Sequence, residues 1–186
     1  MTRADEELTF PVAGLLAEPP GVTRHWPIGP TDVDPGADLQ LASPVEGRLD
    51  LARTNRGLLV RARIGTSVAD ACSRCLRPVR TPLDLVIDEE ALPSVELTSG
   101  AAVDTSAEPE VTRLTTDHEL RLLPLIIDAI VMAEPIAPLC RPDCPGLCPV
   151  CGQDLAEAGH VAHATEIDPR LEVLRSFRVD ESTETD

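Results

Sequence analysis

The chain has no lysine and no tyrosine; its 16 cations are all arginine, and its only aromatic rings are Phe10, Trp26 and Phe177. RNA readers of the RRM or OB type stack bases on aromatic side chains, and rings this scarce cannot build such a platform. The core must instead come from Leu, Val, Ile and Ala, which bury less area per side chain than rings do. No apolar run reaches the roughly 18–20 residues that a membrane-spanning helix requires, so no membrane partner is expected. The opening MTRADEELTF is acidic and has no apolar h-region. It does not read as a secretory signal, and the expected location is the cytoplasm. Without lysine there is no Walker-type phosphate loop. The G-x-G-x-x-G, G-x-S-x-G and H-E-x-x-H patterns are missing as well. The expectation is a protein that is not an enzyme.

Charge adds a second exclusion. The formal net charge is −16. Residues 48–80 run against this trend, with Arg48, Arg53, Arg56, Arg61, Arg63, Arg74, Arg77 and Arg80 against Asp50 and Asp70, a balance of +6 that leaves −22 elsewhere. A strongly anionic body repels a phosphate backbone at long range. Broad-face nucleic-acid binding is therefore not expected, while local RNA contact through those eight arginines is allowed. The acidic remainder suits a basic protein partner.

What the chain does have is six cysteines. Cys72 and Cys75 stand in CSRCL, and Cys140, Cys144, Cys148 and Cys151 in CRPDCPGLCPVCG. A gap of two residues lets two thiolates of one tight turn face the same ion, and a structural Zn²⁺ site takes four such ligands. Thiols stay reduced in the cytoplasm, which favours metal over disulfide. Buried free thiols and a C-x-x-C redox pair are the rival readings.

Periodicity places these segments. The fold class expected is α+β: an antiparallel β-meander or partly closed barrel packed by one main helix, with zinc-knuckle segments and a short C-terminal helix. Residues 1–45, punctuated by Pro and Gly, read as irregular with one short strand over 8–12. Residues 46–178 read as the zinc-binding domain. In it Leu58, Val60, Ala62 and Ile64 point one way, and Arg61 and Arg63 the other, the period of a half-buried strand. Val79, Thr81, Leu83, Leu85 and Ile87 repeat the pattern on the return, so Cys72 and Cys75 fall at a hairpin tip. Pro82 predicts a sheet edge. Residues 92–118 read as a flexible acidic loop. The spacing of Leu122, Ile126, Ala129, Ile130 and Ala133 predicts a helix over 123–133, widened by Ile127 and Val131, with Pro124 near its start. Asp168-Pro169 predicts the cap and first position of a short helix over 169–178. Residues 179–186 read as a disordered acidic tail, and His25 and His118 as surface residues.

Six cysteines fill one four-ligand site and leave two over; with His160 and His163 there are eight donors, enough for two. One partition joins Cys72, Cys75, Cys140 and Cys144, and gives Cys148, Cys151, His160 and His163 to a second site. A ribbon-like set of Cys72, Cys75, Cys148 and Cys151, and a local set of Cys140, Cys144, Cys148 and Cys151, are the alternatives. Each partition offers four protein ligands, whereas a catalytic zinc keeps one position open.

Taken together, Cys72-Ser73-Arg74-Cys75-Leu76, the block from Pro138 to Gly152, and Asp168-Pro169-Arg170 resemble the YceD family, named for accumulation of large-subunit ribosomal RNA. The resemblance covers roughly residues 46–178. It implies a non-enzymatic ribosome biogenesis factor that promotes large-subunit ribosomal RNA accumulation or assembly, with a ribosomal protein or a precursor particle as partner. Many similar sequences carry Cys at the places of His160 and His163. A zinc-ribbon protein associated with transcription and a C-x-x-C redox protein are the alternative functions.

Overall fold

The N-terminal 45 residues depart most from that reading. They form a short helix α1 (Arg3–Glu7), a strand β1 (Thr9–Pro11), a single helical turn α2 (Ala13–Leu16) and a nine-residue strand β2 (Thr23–Thr31). The structure, a computed structural model, describes residues 3–36, 39–104, 106, 108–157, 160, 163 and 168–177. Pro27 and Pro30 hid β2 from sequence reading. As the outermost strand of its sheet it needs hydrogen bonds along one side only, and an edge tolerates proline. Leu8, Val12, Leu15 and Leu16 from this region are buried in the main core. Phe10 meets Trp26 edge to face, with ring centroids 6.1 Å apart.

Three long strands follow: β3 (Gln40–Arg53), β4 (Leu58–Ala71) and β5 (Pro78–Leu92). Their alternation holds as expected. Leu49, Leu51, Leu58, Val60, Ala62, Ile64, Leu83, Leu85 and Ile87 are buried, while Arg61, Arg63, Asp84 and Asp88 are exposed. The β4–β5 pairing is unbroken from Leu58↔Ala91 to Ala71↔Pro78. That register carries the hairpin out to the Cys72–Cys75 tip. A Cβ at Gly47 would overlap the Arg63 carbonyl, so β3 closes on β4 only with glycine there.

The remaining elements among the described residues are β6 (Thr112–Arg113), β7 (Glu119–Arg121), α3 (Leu123–Ala133) and a 3₁₀ helix over Pro169–Ser176. The main sheet runs in the order β2-β3-β4-β5-β6, antiparallel except for β6, which joins the end of β5 in parallel. It is therefore an open, mixed sheet, and the expected partly closed barrel does not form. Closure needs the outer strands to pair, but β6 has two residues and β2 carries prolines. β1 and β7 instead make a separate two-stranded sheet. The acidic loop is also less irregular than expected: it contains β6 and a hydrogen-bonded turn closed by Glu96 N to Ala101 O at 2.8 Å.

Helix α3 occupies the expected residues, with Pro124 in its first turn. It lies against β5. Leu122, Ile126 and Ile130 are buried, but Val131 and Met132 are exposed, so its buried face is narrower than the apolar run implied. The chain divides into two compact units, Met1–Cys144 and Pro145–Asp186. In the second, Asp168 accepts from Arg170 N as an N-cap. The turn it opens is 3₁₀, a form in which the i, i+3 spacing of Leu171 and Leu174 stacks side chains on one line. The expected tail over 179–186 lies outside the described residues. No helix among the described residues is long and apolar enough to cross a membrane.

Candidate metal centres

The first centre is built at the β4–β5 tip. Cys72 N donates to Arg77 O at 2.8 Å, and Leu76 N to Cys72 O at 2.9 Å. This winds the chain so that both cysteines face one side. The turn requires Leu76 at φ 60, a left-handed conformation unusual for a branched side chain. Two tethers bring the segment after α3 to this tip. Ser73 N donates to Pro138 O at 2.8 Å, and Arg74 Nη1 donates to Cys144 O at 2.9 Å. Cys72 Sγ then lies 3.8 Å from Cys144 Sγ, and Cys75 Sγ lies 3.6 Å from Cys140 Sγ. All four sulfurs are within 4.8 Å of one another. Tetrahedral ligands on zinc–sulfur bonds of about 2.3 Å stand about 3.8 Å apart, so the cluster has the size of a four-thiolate cage. None of the cysteines forms a disulfide. Cys72, Cys75 and Cys144 are buried, and Cys140 is exposed.

The second unit repeats the turn. Gly152 N donates to Cys148 O at 2.8 Å, and Gly152, at φ 72, takes the place that Leu76 has in the first knuckle. Cys148 N is bound by Gln153 O at 2.8 Å. Cys148, Cys151, His160 and His163 bring their donor atoms within 4.8 Å of one another. Cys151 Sγ is 3.6 Å from His160 Nε2. Here only Cys148 is buried; His160 is half-buried, and Cys151 and His163 are exposed. The structure thus groups Cys72 and Cys75 with Cys140 and Cys144, and Cys148 and Cys151 with the two histidines. Either group could hold a metal ion.

Electrostatics fit a cation in each. Backbone amides, first that of Cys140 and then that of Cys75, point at Cys72 and hold its thiol at about 6 instead of 9.0. In the second knuckle the Cys151 amide does the same for Cys148, lowering it to about 6, with help from the Val150 amide and His160. Cys140 behaves oppositely. Sharing a hydrogen bond with Cys75, and then partial desolvation of its sulfur within an otherwise exposed residue, push it to about 12. One sulfur of the four-cysteine cluster ionises readily while another resists, chiefly because it is hydrogen-bonded to its neighbours and desolvated, and in the last place because adjacent thiolates repel. A divalent cation removes that repulsion.

The arginine run is not one uniform strip. On the outer face of the sheet His25, Asp50, Arg61 and Asp88 stand in one cross-strand row. His25 Nδ1 lies 2.6 Å from Asp50 Oδ1, and Arg61 Nε 2.7 Å from Asp88 Oδ1. Arg53 donates to the carbonyls of Leu16, Thr54 and Gly57, and Arg56 pairs with Glu108. Arg74 serves the first metal centre. His118, expected at the surface, is half-buried at φ 57, and its carbonyl receives Val12 N; it belongs to the turn that seats the N-terminal segment. Sequence reasoning also missed the Arg74 and Ser73 tethers. Alignment of CSRCL with CPVCG would have shown Leu76 at a glycine position.

An α+β scaffold carrying two four-donor knuckle centres defines the class of protein. The family model for the large ribosomal RNA subunit accumulation protein YceD matches residues 60–178. The chain belongs to the YceD family. Uncharacterized proteins of Mycobacterium tuberculosis and Mycobacterium bovis are 39% identical to it over 140 residues, 74% of this chain and 61% of theirs. One from Mycobacterium leprae is 29% identical over 153 residues, 80% of this chain and 67% of its own. The chain thus spans about three fifths of the length of the first two relatives. No solved structure matches it.

Proposed function

We propose that this protein is a cytoplasmic, non-enzymatic factor for large ribosomal subunit biogenesis. In this reading two structural zinc ions fix its knuckles, and it works by binding a basic ribosomal protein or a large-subunit precursor particle. Family membership over residues 60–178 carries the process. The metal reading is supported by donor sets of four cysteines and of two cysteines with two histidines. These are ligands that zinc favours, and four protein donors leave no coordination position for a substrate water. The −16 charge suits a cationic protein. The pairing of Arg53, Arg56 and Arg61 within the fold leaves less of the arginine run for RNA.

Affinity capture from growing cells, followed by gradient sedimentation, tests the process. The expected result is co-migration with large-subunit precursors and recovery of a partner of high isoelectric point. A protein that stays at the top of the gradient, with no basic partner, overturns the reading.

A further inference from the structure

One edge of the main sheet is open. Strand β5 pairs with β4 from Pro78 to Ala91, but on its other side, among the described residues, only Ala91 and Leu92 have a strand partner, β6. Beside the unpaired stretch runs a groove of about 600 Å³. One wall is residues 84–89 of β5, and the other is Leu125, Asp128, Ala129, Met132 and Ala133 of α3. Those helix residues follow the i, i+3, i+4, i+7, i+8 spacing of a single stripe. It is offset from Leu122, Ile126 and Ile130, which are buried. Val86 and Met132, 67% and 87% exposed, give the groove apolar surface that nothing in the described residues covers.

Its charge is of one sign. Asp84, Asp88, Glu89 and Asp128 line it, and no cation does. Asp88 is paired with Arg61. Asp84, Glu89 and Asp128 are exposed and have no ion-pair partner among the described residues.

We infer that the groove between the open edge of β5 and the Leu125–Ala133 stripe of α3 receives an extended, basic segment of a partner protein, which adds to the sheet as a strand. An exposed edge presents unpaired N–H and C=O groups, and strand addition satisfies them while alternate side chains supply specificity. Six residues of strand give about 20 Å of edge. A docked segment with alternating character turns its apolar side chains towards Met132 and Leu125. Its cations fall beside Asp84 and Asp88 on the outer face. Asp128 and Glu89 select against an acidic strand, and so against the same edge of a second copy. This deepens the ribosomal reading by naming the chemistry of the partner, and rests on it only for where that partner is met.

The test is fluorescence anisotropy with a labelled twelve-residue peptide alternating lysine and valine. Its controls are an alternating glutamate–valine peptide and a lysine–valine peptide N-methylated at every valine. The lysine–valine peptide is expected to saturate the protein. Both controls, and the Asp84→Lys/Asp128→Lys variant with the unmodified peptide, are expected to bind at least tenfold more weakly. Both substituted sites are exposed, and an unchanged melting temperature verifies the fold. Amide shifts confined to 84–89 and to α3 locate the site. No binding, equal binding of the N-methylated peptide, or unchanged binding by the variant overturns the proposal. So does a dimer in sedimentation whose β5 amides are already protected from exchange. Failure here leaves co-sedimentation with precursors untouched, and peptide binding without co-sedimentation removes only the ribosomal assignment.

Discussion

The two knuckles share a backbone turn and differ in almost everything that surrounds it. At the hairpin tip three of four cysteines are buried, and the second half-site arrives from 65 or more residues further along the chain. In the second unit one of four donors is buried, and all lie between positions 148 and 163. Metal bound at the first centre closes a long loop across a sheet and the segment that follows its helix. Metal bound at the second closes a short one. Loop-closure entropy grows with loop length, so the same ion is worth more to the fold at the first site. The difference teaches that an identical C-x-x-C turn does not imply an identical role: with metal bound, one centre would anchor a core and the other would organise a local turn.

The largest expected effect breaks the first centre. Cys72→Ser or Cys144→Ser leaves a buried site without its cage, and the variant is expected to lose at least about 3 kcal/mol, or about 10 °C in Tm. Cys148→Ser should change the main unfolding transition by less than about 1 kcal/mol. Equal losses in calorimetry would erase the distinction. A smaller contrast is kinetic. On addition of a chelator with a chromogenic readout, the exposed Cys151–His163 centre should release its ion about tenfold faster than the buried one, giving two phases. A single phase would mean that exposure does not control release.

Much of this was legible beforehand. Period-two alternation located β4 and β5, and period 3.6 located α3, because each buries one face only. The two donor groups match one of the three ligand partitions that the sequence left open. What stayed hidden was tertiary in origin. β2 was masked by prolines, whose missing amides cost nothing on the unpaired side of an edge strand. The burial of Leu8, Val12 and Leu15 depends on β1 meeting β7 across the chain, with Leu122 N donating to Leu8 O at 2.9 Å. Openness of the sheet turned on the shortness of β6, which no periodicity shows.

pH sharpens what the centres share. In chelated protein Cys72 and Cys148 each have a folded value near about 6 against 9.0, so each favours folding fully above 9.0 and ceases to do so below about 6. Cys140 has the opposite sign: its contribution is full below 9.0 and is lost as pH rises towards about 12. The urea midpoint of metal-free protein is therefore expected to rise between about pH 6 and about pH 8.5. A midpoint that falls over that interval contradicts the amide-to-sulfur geometry.

The smallest effect compares the turns directly. Leu76 is 66% exposed and left-handed, so Leu76→Gly removes strain and loses little packing; a gain of about 0.5 kcal/mol is expected after the entropy of glycine is subtracted. Gly152→Leu should cost about 1–2 kcal/mol of local stability and weaken metal retention at the second centre. Opposite signs in the pair establish that the two turns are the same device.

Metal stoichiometry of the reduced protein, native and with Cys72→Ser or Cys148→Ser, tests the central claim most directly. The account predicts about two zinc ions per native chain and about one in either variant. Loss of all metal from a single substitution, or a native reduced chain that binds no zinc, would contradict it.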